Sequence, residues 1–308
     1  MLHIMMHDPG AGGEFPARPM RRAGPREEPT GETVMPIDQA EKARRFRALH
    51  EAAGVFVMAN AWDGGSARVL GGLGFAALAT SSGAAAATLG RLDGAISRAE
   101  ALTHARVITA ATELPVSADL ENGFGDAPEA VAETIRGAAA AGLVGGSIED
   151  ATGDPARPIY DFNQATERVA AAAAAARALP FAFTLTARSE NFLHGRADLE
   201  DTIRRLQAFE RAGADVLFAP ALPDLAAVRA LCTALKKPVN FMVAIPGKSF
   251  SVAELAQAGV KRISLATSLY RAAMGGLVEA AQEVHDEGTF GYLRRALPSS
   301  RLSEYLKA

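Results

Sequence analysis

Cysteine occurs once in the 308 residues, at Cys232, which excludes an intrachain disulfide or a cysteine metal cluster and fits a reducing, cytoplasmic setting. It lies in the apolar helical run AAVRALCTALKK, where a small buried side chain is expected rather than a nucleophile. Aromatic residues make up only 6%, so Ala, Leu and Val must fill most of the core. No apolar stretch is long and clean enough to span a membrane, and AAAAAARALP reads as an alanine-rich helix stopped by Pro180. A basic excess is missing too: the formal net charge is -3, with no long run of Lys or Arg, which argues against nucleic acid or an anionic membrane as partner. A small soluble molecule is the expected ligand.

Residues 1–35 lack periodic apolar positions and are rich in Pro and Gly, so they read as a disordered or loosely attached leader. LHIMM is too short, and too interrupted by His3, to be the core of a signal peptide. Residues 36–308 are expected to form a single domain.

What that domain does have is rhythm: amphipathic helix, glycine, short apolar run, polar loop. This is the pattern of βα units. Strands are expected in VFVMA, AALAT, PVSAD, GGSIE, FAFTLTA, DVLFAP, VNFMV and RISLA. Gly54, Gly74, Gly142, Gly213 and Gly259 each stand between a helical stretch and a strand, as helix-terminating glycines do, and Ser97 with Glu100 fits a capping box. Eight such units predict an α/β protein with a closed parallel (β/α)8 TIM barrel. The competing doubly wound sheet lacks its glycine fingerprint, since GAGGEF has Phe15 at the third glycine position and no strand before it.

In such a barrel, chemistry collects at the C-terminal ends of the strands. Those positions carry Asn60, Trp62 and Asp63; Ser81, Ser82 and Gly83; Asp119 and Glu121; Glu149 and Asp150; Arg188 and Glu190; and Asn240 on the seventh strand. Asp119 and Glu121 are two apart and so share a face, where two carboxylates would repel unless a cation lay between them. The alternative is that Asp119 caps the following turn and Glu121 points to water. Likewise Asp63 can cap a helix, Ser81 and Ser82 can merely shape a turn, and Arg188 can pair with Glu149 inside the barrel. Taken together, these residues suit an anionic, oxygen-rich ligand held through a hard cation, with the TSSG amides and Arg188 as anion contacts.

The segments NAWDGGSARVL, TSSG, GRLDG, ADLENGFG, GGSIEDATGD and LTARSENFL, spread from about Phe46 to about Leu277, resemble the isocitrate lyase and phosphoenolpyruvate mutase superfamily. The resemblance implies a barrel whose last helix is exchanged between subunits of a homodimer or homotetramer. It also implies Mg2+, replaceable by Mn2+, and a small 2-oxo acid as substrate. Asp119, Glu121 and Glu149 become the metal shell, with Asp93 behind them. Ser81, Ser82 and Gly83 become the carboxylate cradle and Arg188 an anion clamp, while Trp62, Asp63 and Asn240 join the substrate pocket.

Two departures stand out. The family usually has a second Asp where this chain has Glu121. The gating loop of the lyases is lysine-rich with a proton-donating cysteine, whereas here it reads EDATGDPARPIYDFN, without Cys, Lys or His. The expectation is therefore decarboxylation of an oxaloacetate-like acid through a metal-stabilised enolate, with solvent or Tyr160 returning the proton. The alternatives are phosphonomutase-type P–C chemistry and a non-catalytic 2-oxo acid binder. Because the leader lacks core periodicity, deleting Met1 to Thr33 should shift Tm by no more than about 2 °C and leave activity unchanged, as read by thermal unfolding and assay of the truncated chain.

Overall fold

The computed structural model describes residues 37–307; the expected leader lies outside them. Eight parallel strands close into a barrel in sequence order, with β1 (Phe56–Asn60) pairing to both β2 (Leu78–Ala79) and β8 (Arg262–Ser264). Between these run β3 (Val116–Asp119), β4 (Gly145–Glu149), β5 (Thr184–Arg188), β6 (Val216–Phe218) and β7 (Val239–Met242). Each expected apolar run overlaps its strand, with β1 and β5 running one residue further, to Asn60 and Arg188. β4 keeps all five residues of GGSIE, whereas β2 keeps only two of AALAT.

Helices α1 (Gln39–Glu51), α2 (Gly64–Gly72), α3 (Ser82–Thr88), α4 (Arg98–Ala110), α5 (Pro128–Ala140), α6 (Phe162–Arg177), α7 (Leu199–Ala212), α8 (Leu225–Ala234), α9 (Val252–Gln257), α10 (Ser268–Gln282) and α11 (Ser299–Leu306) complete the chain. Ser97 and Glu100 form the expected reciprocal cap on α4, and Gly213 ends α7 in the left-handed region at φ 112°. Among the described residues, no helix is long and apolar enough to cross a membrane.

The core is built from small residues at close approach. A Cβ on Gly145 would meet Thr184 O at 2.9 Å and Phe46 Cε1 at 2.8 Å, so only glycine lets β4 lie against both β5 and α1. Helix α1 seals the N-terminal end of the barrel, with Phe46 and Ala43 packed on Met58, Ala77 and Val144. One turn on, His50 offers Nδ1 to Phe46 O at 2.8 Å. A carbonyl only accepts, so Nδ1 carries the proton and Nε2 is left to accept from the buried Arg262 guanidinium at 3.3 Å. Arg262 also donates to Asn240 Oδ1 at 2.8 Å and Thr186 Oγ1 at 2.9 Å, all neutral partners. Below the chemistry, then, the barrel floor is a charged arginine held by uncharged acceptors.

By contrast, α10 buries no residue; Met274, Leu277 and Val278 on it are exposed.

Burial, with Arg262 and Lys261 nearby, pushes the His50 pKa down to about 3, well below its unfolded value near 6.5. Neutral His50 thus adds stability that is fully present above pH ~6.5 and is lost as pH falls toward ~3, at up to about 1.4 kcal/mol per pH unit. Urea unfolding across that window should show His50→Gln with a shallower acid-side loss than the wild type; identical slopes would remove His50 from the balance.

Candidate active site

Four residues outside glycine take positive φ among those described, and all sit in loops after strands: Glu121 (48°) and Phe124 (58°) after β3, Ala221 (62°) after β6 and Ala266 (46°) after β8. Each costs about 1 kcal/mol or more, and the cost falls at the barrel face where ligand sites form.

At that face, ladder register puts Glu149 directly opposite Arg188, and Asp119 opposite Ser147 one strand over. The Arg188 guanidinium is the hub. Its Nη1 lies 2.9 Å from Asp119 Oδ1 and 3.2 Å from Glu149 Oε2, and its Nε lies 2.8 Å from Glu190 Oε1. Its third nitrogen, Nη2, makes no hydrogen bond among the described residues. The pairing of Arg188 with Glu149 foreseen as a structural alternative is therefore real, but it is one arm of a larger cluster.

Ser82 donates from its hydroxyl to Asp119 Oδ2 at 3.1 Å and more weakly from its N–H at 3.4 Å, and Thr80 Oγ1 takes the Asp119 N–H at 3.0 Å. Asp93 approaches from the loop after α3: a Cβ on Gly83 would meet its Oδ2 at 3.1 Å and Thr267 Cγ2 at 3.0 Å. Glycine at 83 is what lets that carboxylate come close. Ser81 caps α3 through its side chain, accepting from Ala84 N at 3.4 Å.

The acids outnumber the charge that holds them. Burial drives the Glu149 carboxyl well above the usual range, against the pull of Arg188, with Glu190, Asp119 and Glu121 adding to the rise. Glu190 rises to about 7, chiefly from burial. Glu121 also rises to about 7, from burial first and then from Asp119 and Asp93. Arg188 answers in kind: burial opposes its charge, but Glu190, Glu149 and Asp119 outweigh that and hold its pKa well above normal.

A hard cation fits this donor set. Glu121 Oε1 is buried without a hydrogen-bond partner, and its neighbours Asp119 and Asp93 repel it, so a positive ion would satisfy all three. Among the described residues no three acid, histidine or cysteine side chains lie close enough together to hold a metal ion, so a cation here would need water to complete its shell.

Other expected members are placed differently. Trp62 and Asp63 line a neighbouring apolar groove of about 540 Å³ with Ile96 and His104. Asp63 caps α2 in a reciprocal box with Ser66, and the Trp62 carbonyl meets His104 Nε2 at 2.8 Å. Asn240 lies inside the barrel but is occupied by Ser264 and Arg262. Tyr160 is not a free proton donor: its hydroxyl donates to Asp126 Oδ1 at 2.5 Å, and burial together with that carboxylate raises its pKa to about 12.

Glu190 is visible in the sequence as a strand-end acid, but its pairing with Arg188 was not read there. Its place two residues after Arg188, on the same face, was the usable signal.

Removing the hub strands its acids. Arg188→Ala should cost about 3–5 kcal/mol near pH 7.5. Carboxyls with raised pKa bind protons more readily folded than unfolded, so the deficit should shrink as pH falls toward ~5. Urea unfolding at both pH values measures this, and a pH-independent loss would mean that the deficit is one of packing alone.

Comparison with known proteins shows the family. A sequence profile of the family described as phosphoenolpyruvate phosphomutase matches residues 46–285. A crystal structure from Burkholderia cenocepacia J2315, named only provisionally as a lyase/mutase, is 52% identical and superposes with a TM-score of 0.86 over 88% of this chain and 97% of that one. The oxaloacetate decarboxylase of Paraburkholderia xenovorans (strain LB400) is 30% identical over 274 residues, which are 86% of this chain and 88% of that protein. An oxaloacetate acetylhydrolase solved with its product oxalate is 25% identical, with a TM-score of 0.80 over 87% of this chain and 94% of that one. With the profile spanning most of the barrel and the strand-end acids gathered where its fold puts ligands, this chain belongs to the phosphoenolpyruvate phosphomutase family, within the isocitrate lyase/PEP mutase superfamily.

Proposed function

We propose that this chain is a Mg2+-dependent carbon–carbon lyase that decarboxylates oxaloacetate or a close 2-oxo acid. The superfamily consists of Mg2+-dependent lyases and mutases, so the proposal concerns which reaction is run. The observation that carries it is the acid cluster of Asp119, Glu121, Glu149 and Glu190 drawn around one buried arginine at the barrel mouth.

Asp119, Glu121 and Glu149, with Asp93 behind them, would hold the cation, which when bound supplies an electron sink for the 2-oxo group. Arg188, with Nη2 uncommitted, is the contact for the substrate carboxylate. The C–C electron pair left as CO2 departs passes into the 2-oxo group, and the resulting enol form takes its proton from solvent. Asp119, Ser81, Thr80 and Arg188 line a small cavity of about 60 Å³ that continues down the barrel to Asn240 and Arg262.

The loop after β4 supports the same choice. It folds back on itself through the Ala151–Ile159 bridge and offers neither thiol nor ammonium to manage a proton on a second leaving fragment. The exposed apolar face of α10 supports exchange of that helix within a homodimer or homotetramer.

The expected outcome is Mg2+-dependent CO2 release from oxaloacetate above the rate with free Mg2+ alone, with Mn2+ substituting. Asp119→Ala should lower kcat by at least about 100-fold while leaving the fold intact. Isocitrate should yield little glyoxylate, and 2-methylisocitrate little pyruvate. Interconversion of phosphonopyruvate and phosphoenolpyruvate would favour the mutase reading instead. Ligand-induced thermal stabilisation without any product would favour a binder.

A further inference from the structure

Two loops border the acid cluster, one between β3 and α5 that carries Glu121, the other between β4 and α6. Both are held from outside by one residue that the chemistry above leaves unused. Arg168, on α6, is 1% exposed. Its guanidinium is committed to backbone rather than to a carboxylate: Nη1 donates to Gly125 O at 2.6 Å and to Asp126 O, and Nη2 donates to Asn122 O.

Burying an arginine costs several kcal/mol, and three carbonyls of one short loop are an unusual return unless the shape of that loop matters. Its shape is unfavourable by itself. Glu121, Gly123 and Phe124 take φ of 48°, 82° and 58°, and two of the three bear side chains. Charge-assisted hydrogen bonds from Arg168 offset that strain. Thr134 adds a bond from Oγ1 to Gly123 O at 2.7 Å.

The second loop is tied to the same guanidinium through Tyr160. The Tyr160 ring lies 4.2 Å from Arg168 Cζ, and its hydroxyl reaches Asp126 Oδ1, in the first loop, at 2.5 Å. The Tyr160 N–H returns to Asp150 O at 2.9 Å, and its carbonyl accepts from Arg205 Nη1 at 3.0 Å. Asn122 Nδ2 makes a direct cross-link to Thr152 O at 3.1 Å.

We propose that Arg168 and Tyr160 form a staple that sets the backbone of Glu121 and joins the two loops, making Arg168 a positioning residue for the cation-dependent reaction. This rests on Glu121 belonging to the cation site. Arg168 touches neither cation nor substrate; it acts by fixing the loop from which Glu121 projects, as outer partners of metal ligands do.

The test uses the full chain, with two readouts besides turnover. Hydrogen–deuterium exchange is followed over residues 120–127 and 150–161, with the barrel strands as reference, and Mg2+ binding is measured by calorimetry without substrate. Tyr160→Phe keeps the ring under Arg168 but removes the Asp126 bond. It should speed exchange in both loops about tenfold with the strands unchanged.

Arg168→Gln should weaken Mg2+ binding about tenfold or more. Arg168→Lys should not rescue it, because one ammonium cannot span three carbonyls. If Arg168→Gln does not fold, Tyr160→Phe decides alone: a local rise in both loops supports the staple. Wild-type exchange in Tyr160→Phe, a rise shared equally by the strands, or unchanged Mg2+ affinity in folded Arg168→Gln would overturn it. Failure of the wild-type chain itself to bind Mg2+ would sink the cation reading instead, and the exchange measurements would still judge the staple.

Discussion

Everything at the barrel mouth is arranged around one buried guanidinium. Arg188 stands within ion-pair distance of Asp119, Glu149 and Glu190, three acids from three consecutive strand ends. A single positive charge cannot neutralise three carboxylates, let alone Glu121 and Asp93 beside them. A cation bound here would relieve the crowding of carboxylates and would present a positive centre to an anionic acid. Stability and function pull in opposite directions here: acids that repel one another weaken the fold unless something positive is bound.

The rest of the structure keeps that surplus in place. Below, Arg262 lies across the barrel floor, bonded to Asn240, Thr186 and His50, so the layer under the acids is polar, satisfied and closed by α1. Beside it, Asp150 is held by Arg205 and by the Glu190 N–H, and Arg205 is bound in turn to Asp201. Buried charge is thus passed outward from the mouth to α7 in paired steps, each partner offsetting the desolvation of the last. Around the rim, loops with left-handed residues hold side chains at angles that ordinary turns would not give.

Much of this could be read in the residues. Alternation of apolar runs with glycine-stopped helices gave eight βα units, because that rhythm buries a continuous apolar strand under amphipathic helices and few other architectures do. Asp119 and Glu121, two apart after an apolar run, signalled paired carboxylates, and GGSIE signalled a strand, while the close packing at Gly145 came only with the fold. Trp62, Asp63 and Tyr160 are held in contacts of their own: Trp62 and Asp63 line a groove with Ile96 and His104, and Tyr160 bonds Asp126. Asp63 is a helix cap and Tyr160 a loop tie, roles open to the same residue types at the same loop positions.

Local pattern therefore determined the fold, the face that carries chemistry and most of the acids, since periodicity and strand-end position depend only on near neighbours in the chain. Which acid meets which cation was decided by the closed barrel alone. Arg188 reaches Asp119 across 69 residues and Arg262 reaches His50 across 212, and no local pattern encodes such distances. Nothing in the sequence singles out Arg168 or Arg205; only the packing of α6 and α7 turns them inward, where desolvation makes their few contacts strong.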